Sequence, residues 1–298
     1  MRINQSHPAM GYAYGLGAAL LYGTTATIGK YTLITTDAFT VAALGYFIGS
    51  VVFIPAKRVG PLEKGVLKLV FLAGIFGSVI APLLYFTGLS MTAATNAALL
   101  SNGEAIFTSI IAVMIFKESM SKYQVAAAAT VLFGVALVSS VPGESIGSLL
   151  SASSFRGNLL IICATFAWGI DNNISRVATK VLDPTILTKY KNMIGASCLL
   201  VASLLAGSFH IPTEAALPGI VGIGVMGVGL STAFLMHSLK KLGAVRAVML
   251  FSTSSIFGLA FAHIFLAEAI TAVQVVGMVL MVAGLYIMNI LSVNLKNV

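Results

Sequence analysis

The 298-residue chain is 58% hydrophobic and 9% charged, with a formal net charge of +8. Soluble domains run near 25% charged, so a chain this apolar is read as one whose solvent is lipid, which excludes an ordinary soluble enzyme. The basic residues sit in short loops and form no patch, which excludes a nucleic-acid surface.

Apolar runs of membrane-spanning length, punctuated by turn residues, predict an all-α polytopic membrane protein of ten transmembrane helices. Helix 1 is predicted from Gly11 to Leu33, helix 2 from Ala38 to Ala56, and helix 3 from Leu67 to Leu89. Helix 4 follows from Ala93 to Phe116 and helix 5 from Lys122 to Ser140. In the second half, helix 6 runs from Gly157 to Lys180, helix 7 from Pro184 to Gly207, and helix 8 from Leu217 to Leu239. Helix 9 is expected from Ala244 to Ala267 and helix 10 from Thr271 to Ser292. Short loops make consecutive helices antiparallel neighbours, and the abundant glycine (29 residues) suits close backbone packing in lipid. The polar lead from Met1 to Pro8 precedes a segment with a counterpart later in the chain, so no cleavable signal is expected. Cys163 and Cys198 fall inside apolar runs without metal-type spacing and read as packing residues.

Charge placement sets the expected orientation. Arg2, Lys57, Arg58, Lys64, Lys68, Lys117, Lys122, Lys180, Lys240, Lys241 and Lys296 fall on one side, and Arg156 stands almost alone on the other. The positive-inside rule then places both termini in the cytoplasm, in a multi-pass protein of the cytoplasmic (inner) membrane.

The two halves resemble each other. Tyr22, Gly23, Lys30 and Asp37 match Trp168, Gly169, Arg176 and Asp183, each 146 residues later. Gly77, Glu118, Gln124 and Gly134 match Gly227, Glu268, Gln274 and Gly284 at an offset of 150. An odd number of helices per half turns the second half upside down, and the charges agree: loops that are basic in one half are uncharged or acidic in the other. The expected organisation is a first repeat at 1–143, a connecting loop at 144–156 and an inverted second repeat at 157–298. Inverted repeats allow alternating access to a central site.

Each half also carries an apolar helix that ends in Glu, a short turn, and then Gln and Gly. The pattern runs from Ala105-Ile106-Phe107-Thr108 to Glu118, Gln124 and Gly134, and again from Ser255-Ile256-Phe257 to Glu268, Gln274 and Gly284. These motifs resemble the drug/metabolite transporter superfamily, specifically its ten-helix EamA-type members. A finer resemblance is to a subgroup with the Trp168-Gly169-Ile170-Asp171-Asn172-Asn173 stretch, Lys191 in helix 7 and Glu104 in helix 4. The resemblance implies a central cavity lined by helices 1, 3, 4, 6, 8 and 9, with helices 5 and 10 as scaffold. Members of the family often carry Pro where this chain has Ala105 and Ser255.

Ionisable groups at membrane depth are costly and mark candidate sites. At about 1.5 Å of rise per residue, Glu104 lies near the midplane, and Asp171 and Lys191 differ in depth by only about 3 Å. Glu104 and Asp171 are therefore candidate groups for binding a proton or a substrate ammonium. For Asp171 the competing reading is a structural pair with Lys191 that locks helix 6 to helix 7, with Asn172 and Asn173 as interhelical glue. Glu104 has no cation at its depth in helix 3 or 5, which favours a functional role. Thr25, the repeat mate of Asp171, and Ser254, the mate of Glu104, are weaker candidates, as are Tyr22 and Trp168 as stacking surfaces. The run Ser252 to Ser255 could equally bend helix 9 by bonding the preceding turn. Lys30 and Arg176 are expected to snorkel, Glu118 and Glu268 to serve structure, and His237 and His263 to lie at an interface.

The reading that gathers these features is a secondary carrier for a small organic metabolite, an amino acid or an amine-like solute, coupled to protons or exchanging. A P-loop, an HExxH metal motif and a nucleophile–base pair are absent from the sequence, so no cofactor or metal is expected and a membrane-embedded enzyme ranks lower. A non-transporting sensor or assembly protein would need a soluble signalling segment that these short loops do not provide. Expected partners are the substrate and the bilayer, with a homodimer allowed through the glycine-bearing helices 5 and 10.

Overall fold

The computed structural model describes residues 8–53, 62–91, 100–117, 120–138, 152–205, 207–266 and 270–294. Among these residues the protein is all-helical. The first half contributes α1 (Pro8–Thr35), α2 (Ala38–Val51), α3 (Lys64–Met91), α4 (Gly103–Met114) and α5 (Lys122–Val138). The second contributes α6 (Ala152–Ala178), α7 (Pro184–Leu205), α8 (Leu217–Leu242), α9 in two pieces (Ala244–Phe251 and Ser254–Leu266) and α10 (Ala272–Asn294). Lys64–Met91, Leu217–Leu242 and Ala244–Phe265 are long and apolar enough to cross a membrane. The burial pattern is that of a protein dissolved in lipid: Phe47, Phe71, Phe133, Val279 and Tyr286 are exposed, while Asp171, Asn173 and Lys191 are buried.

Local chemistry explains where the helices start. Asp37 Oδ1 accepts from Thr40 N at 3.0 Å ahead of α2, and Asp183 Oδ1 accepts from Thr185 N at 2.9 Å ahead of α7, where Pro184 takes the first helical position. The two glutamines of the repeated motif close capping boxes. Gln124 Oε1 accepts from Ser121 N at 3.0 Å while Gln124 N donates to Ser121 Oγ at 3.3 Å, and Gln274 with Thr271 repeats this at 2.9 and 3.3 Å. The motif therefore starts α5 and α10.

Two helices carry a wide turn. Ile75–Ile80 in α3 and Ile223–Leu230 in α8 are π-helical, and they contain Gly77 and Gly227. Another pair of helices bends. In α9 the chain turns at Ser252 and Thr253, whose hydroxyls donate to Met249 O at 2.8 Å and Leu250 O at 2.6 Å. In α4 a turn at Asn102 precedes the regular helix, with Ala105 N donating to Asn102 O at 3.1 Å. Both bends fall three residues before Ala105 and Ser255, so these helices bend without proline, and in α9 the polar run does the bending.

The helices pack across the halves. α1 lies against α8 and α9, α6 against α3 and α4, α2 against α7, and α5 against α10. Glycines set the close approaches. A Cβ at Gly23 of α1 would lie 2.8 Å from Phe257 Cβ of α9, and one at Gly169 of α6 would lie 2.9 Å from Phe107 Cβ of α4. Likewise Gly134 of α5 meets Gly277 and Met281 of α10, while Gly284 of α10 meets Val131 and Ala127 of α5.

The structure departs from expectation at several ends. The connecting loop was expected to last to Arg156, yet α6 already begins at Ala152, ahead of the apolar run that marked the helix. α2 ends at Val51 rather than Ala56, and α7 ends at Leu205, with Gly207 at a φ of 63°. Arg2, Lys57, Arg58, Glu118, Glu268, Lys296, the stretch 92–99 of helix 4 and the linker 139–151 lie outside the described residues, as does the side chain of Lys30. His237 stacks on Tyr14 at 4.7 Å and hydrogen-bonds Thr185 Oγ1 at 3.1 Å, so it is engaged in packing rather than left at an interface.

Replacing Gly134 with Val would drive a methyl into the Gly277 carbonyl, and overpacking of this kind costs about 1–3 kcal/mol. The expected result is a lower melting temperature and a smaller monodisperse fraction in detergent. Phe133→Leu on the adjoining exposed face should leave both unchanged.

Candidate functional site

The helix crossings leave a central cavity to which α1, α2, α3, α4, α6, α7, α8 and α9 contribute lining residues, while no residue of α5 or α10 lines it. The scaffold position expected for helices 5 and 10 agrees with this. The lining differs from the expected set by including α2, through Tyr46, and α7, through Lys191 and Asn192, because those two helices pack against each other beneath the cavity wall.

One wall is charged. Lys191 Nζ donates to Asp171 Oδ1 and Oδ2, both at 2.6 Å, and to Ser175 Oγ at 3.1 Å. Ser175 Oγ in turn donates to Asp171 Oδ1 at 2.8 Å. Lys191 is only 1% exposed, and all three of its N–H donors are engaged. The pair joins α6 to α7 as the depth arithmetic expected. It also packs on the wide turn of α3, where a Cβ at Gly77 would collide with the Asp171 carboxylate.

Glu104 stands apart from this pair. Its Oε1 accepts from Asn172 Nδ2 at 2.7 Å, and the same amide reaches Thr108 Oγ1 at 3.2 Å. Asn173 Nδ2 donates to Thr108 O at 3.0 Å and to Gly169 O at 2.9 Å, which ties α6 to α4, the interhelical role that one of the two readings gave it. Among the described residues Glu104 has no ion-pair partner within salt-bridge distance, which leaves it the uncompensated carboxyl group of the cavity.

The remaining candidates divide. Trp168 Nε1 and Tyr46 Oη both donate to Gly77 O, at 3.1 and 3.2 Å, because the wide turn exposes that carbonyl to side-chain donors. Tyr22 lies 4.9 Å from Phe251, ring to ring, on the opposite wall. Thr25 also lines that wall, beside Gly227, and its Oγ1 is buried without a partner among the described residues. Ser254 falls outside the lining: it opens the second piece of α9, beside Gly23 of α1. Tyr46, Tyr85, Thr108, Ser175 and Asn192 were not singled out from the sequence. Tyr46 and Asn192 are repeat mates at the 146 offset, and Thr108 and Ser175 lie one helical turn after Glu104 and Asp171, so both signals were present.

A multi-pass helical membrane protein with a polar, charge-bearing cavity at the centre of its bundle has the architecture of a solute transporter. The sequence matches the EamA-like transporter family over residues 9–140 and 155–290, and the chain belongs to that family. It is 28% identical over 297 residues to an uncharacterized transporter of Methanothermobacter thermautotrophicus, covering 93% of this chain and 85% of that one. It is 27% identical to an uncharacterized transporter of Bacillus subtilis, covering 92% of this chain and 91% of the relative. A Salmonella typhimurium protein named "Probable amino-acid metabolite efflux pump" is 25% identical over 64% of this chain and 66% of its own length. A protein of known crystal structure shares the fold, with a TM-score of 0.80 and 20% identity over 96% of this chain and 100% of its own. The protein is therefore a membrane transporter of the drug/metabolite transporter superfamily.

Removing one partner of the buried ion pair strands the other, at a cost of about 3–5 kcal/mol. Lys191→Met is expected to lower the melting temperature of the purified protein sharply. The double variant Asp171→Asn/Lys191→Met should recover most of that loss, as thermal unfolding in detergent would show.

Proposed function

We propose that this transporter is a secondary carrier that moves a small organic metabolite, an amino acid or an amine-like solute, by alternating access about the central cavity. Ten transmembrane helices form two inverted five-helix repeats, with both termini cytoplasmic and the chain seated in the cytoplasmic (inner) membrane. Paired features support the inverted repeat. The wide turns at Gly77 and Gly227, the capping boxes of Gln124 and Gln274, the bends before Ala105 and Ser255, and the α1–α9 and α6–α4 glycine contacts are all mates under the repeat offsets. Rocking of such halves against each other exposes one site to either side in turn.

The observation that carries the reading is the contrast between the two carboxyl groups. Asp171 is neutralised by Lys191, whereas Glu104 lines the same cavity with Asn172 and no ion-pair partner among the described residues. A carboxyl group so placed is occupied in turn by a proton and by the cationic end of the substrate, which couples the two. The resemblance to a pump named for amino-acid metabolites supports the substrate range. A homodimer through helices 5 and 10 would use their outward faces, since the Gly134 and Gly284 faces meet each other within the chain.

In proteoliposomes loaded with a pH dye and offered amino acids, amines, nucleosides or organic anions, a transported solute is expected to move protons. Glu104→Gln should abolish that coupled flux while the protein stays folded and reconstituted. Proton-coupled transport that survives unchanged in Glu104→Gln would remove this residue from the mechanism.

A further inference from the structure

We infer that the cavity selects an amphipathic amine that bears no carboxylate, and so binds a decarboxylated amine in preference to the parent amino acid. The inference rests on the reading of Glu104 as the substrate-binding group and narrows it to one of the two solute classes.

A carboxylate entering the cavity would need a cation or several strong donors. Lys191 is the one cation in the lining among the described residues, and its three N–H bonds are spent on Asp171 and Ser175. Asn172 Nδ2 is already shared between Glu104 and Thr108, and the Trp168 and Tyr46 donors are both held by Gly77 O. A substrate carboxylate would thus meet Glu104 with no available cation among the described lining residues to offset it, the like-charge arrangement that sites use to reject a wrong ligand.

Acceptors, by contrast, are left over. Asn192 Oδ1 is buried without a partner among the described residues, and its identity as oxygen is set by the neighbouring Nδ2, which points to the Val228 carbonyl at 3.4 Å. Thr25 Oγ1 is likewise buried and unpartnered, and Glu104 accepts a single hydrogen bond among the described residues. Thr25, Asn192 and Glu104 are all lining residues of one cavity, so it holds acceptor capacity for the N–H donors of a primary ammonium. Leaving such acceptors unfilled in a buried site is costly, so a donor-rich ligand gains what a carboxylate loses.

The apolar part of the wall that carries Thr25 tells what the ammonium is attached to. Tyr22, Leu235, Met236 and Phe251 present rings and aliphatic surface without charge. A hydrocarbon or ring-bearing tail fits that wall, where a second charge would lie unsolvated.

The test is a matched series offered to the full-length protein in detergent and followed by thermal stabilisation: 2-phenylethylamine, phenylalanine, 3-phenylpropionate and 2-phenylethanol. The amine is expected to stabilise with an affinity higher than that of phenylalanine by about tenfold or more, the scale of one charge-assisted hydrogen bond. Neither 3-phenylpropionate nor the alcohol should match it. The amine's shift should vanish in Glu104→Gln and shrink in Thr25→Val, which keeps the cavity's charges intact. Equal or tighter binding of phenylalanine, dependent on Glu104, would overturn the amine selectivity while leaving the carrier reading in place. A shift by either ligand that persists in Glu104→Gln would instead overturn the assignment of the binding group itself. No shift by any member would overturn the selectivity proposed here.

Discussion

Lys191 gives all three of its N–H bonds to Asp171 and Ser175, and this closed triad governs what the rest of the bundle can do. Two opposite charges enter an apolar interior only when each satisfies the other, because the cost of desolvating either alone is several kcal/mol. Once paired, they clamp α6 to α7 and press on the wide turn of α3, where only a glycine leaves room for the carboxylate. The same closure takes the cation out of play for any ligand. Among the described residues Glu104 then remains as the one cavity charge still to be balanced, and the character of the cavity follows from that remainder.

Packing carries this chemistry across the molecule. Because α1 sits among helices of the second half and α6 among helices of the first, each half is completed by a helix of the other. Gly23 and Gly169 bring those exchanged helices into contact with the bent helices α9 and α4. The bends come from hydroxyls that bond to the preceding turn in α9, and from three-residue turn bonding at Asn102 in α4. A proline would produce a permanent kink by deleting a hydrogen bond, whereas back-bonding hydroxyls bend the helix and keep its bonds satisfied. In lipid the second solution avoids leaving the carbonyl of the preceding turn without a donor.

Much of this was legible in the sequence for physical reasons. Hydrocarbon thickness dictates the length of the apolar runs, and the regular rise of a helix turned the positions of Asp171 and Lys191 into depths close enough to pair. The repeat offsets found Gly77 and Gly227 before any contact was known. Other features were less accessible. The role of Gly77 lies in which carboxylate it admits and which rings its carbonyl receives, and these are contacts between segments distant in the chain. Tyr46 was hidden because it is an aromatic residue in an apolar run, and only its mate Asn192, beside Lys191, would have singled it out. Ser254 differs for the opposite reason: it holds the position offset by 150 from Glu104, but that position opens the second piece of α9 and falls outside the cavity lining.

That last distinction bears on how the two halves depend on each other. At the positions where one half carries Glu104, Thr25 and Gly45, the other carries Ser254, Asp171 and Lys191. Two copies of the first half would gather two unbalanced carboxyl groups and no lysine, while two copies of the second would gather two closed ion pairs and no free acid. Neither half can serve as its own partner. Under the inverted repeat proposed above, the chain has the scaffold of a symmetric dimer but the chemistry of an obligate pair, so severed halves would have to be supplied together to restore the cavity.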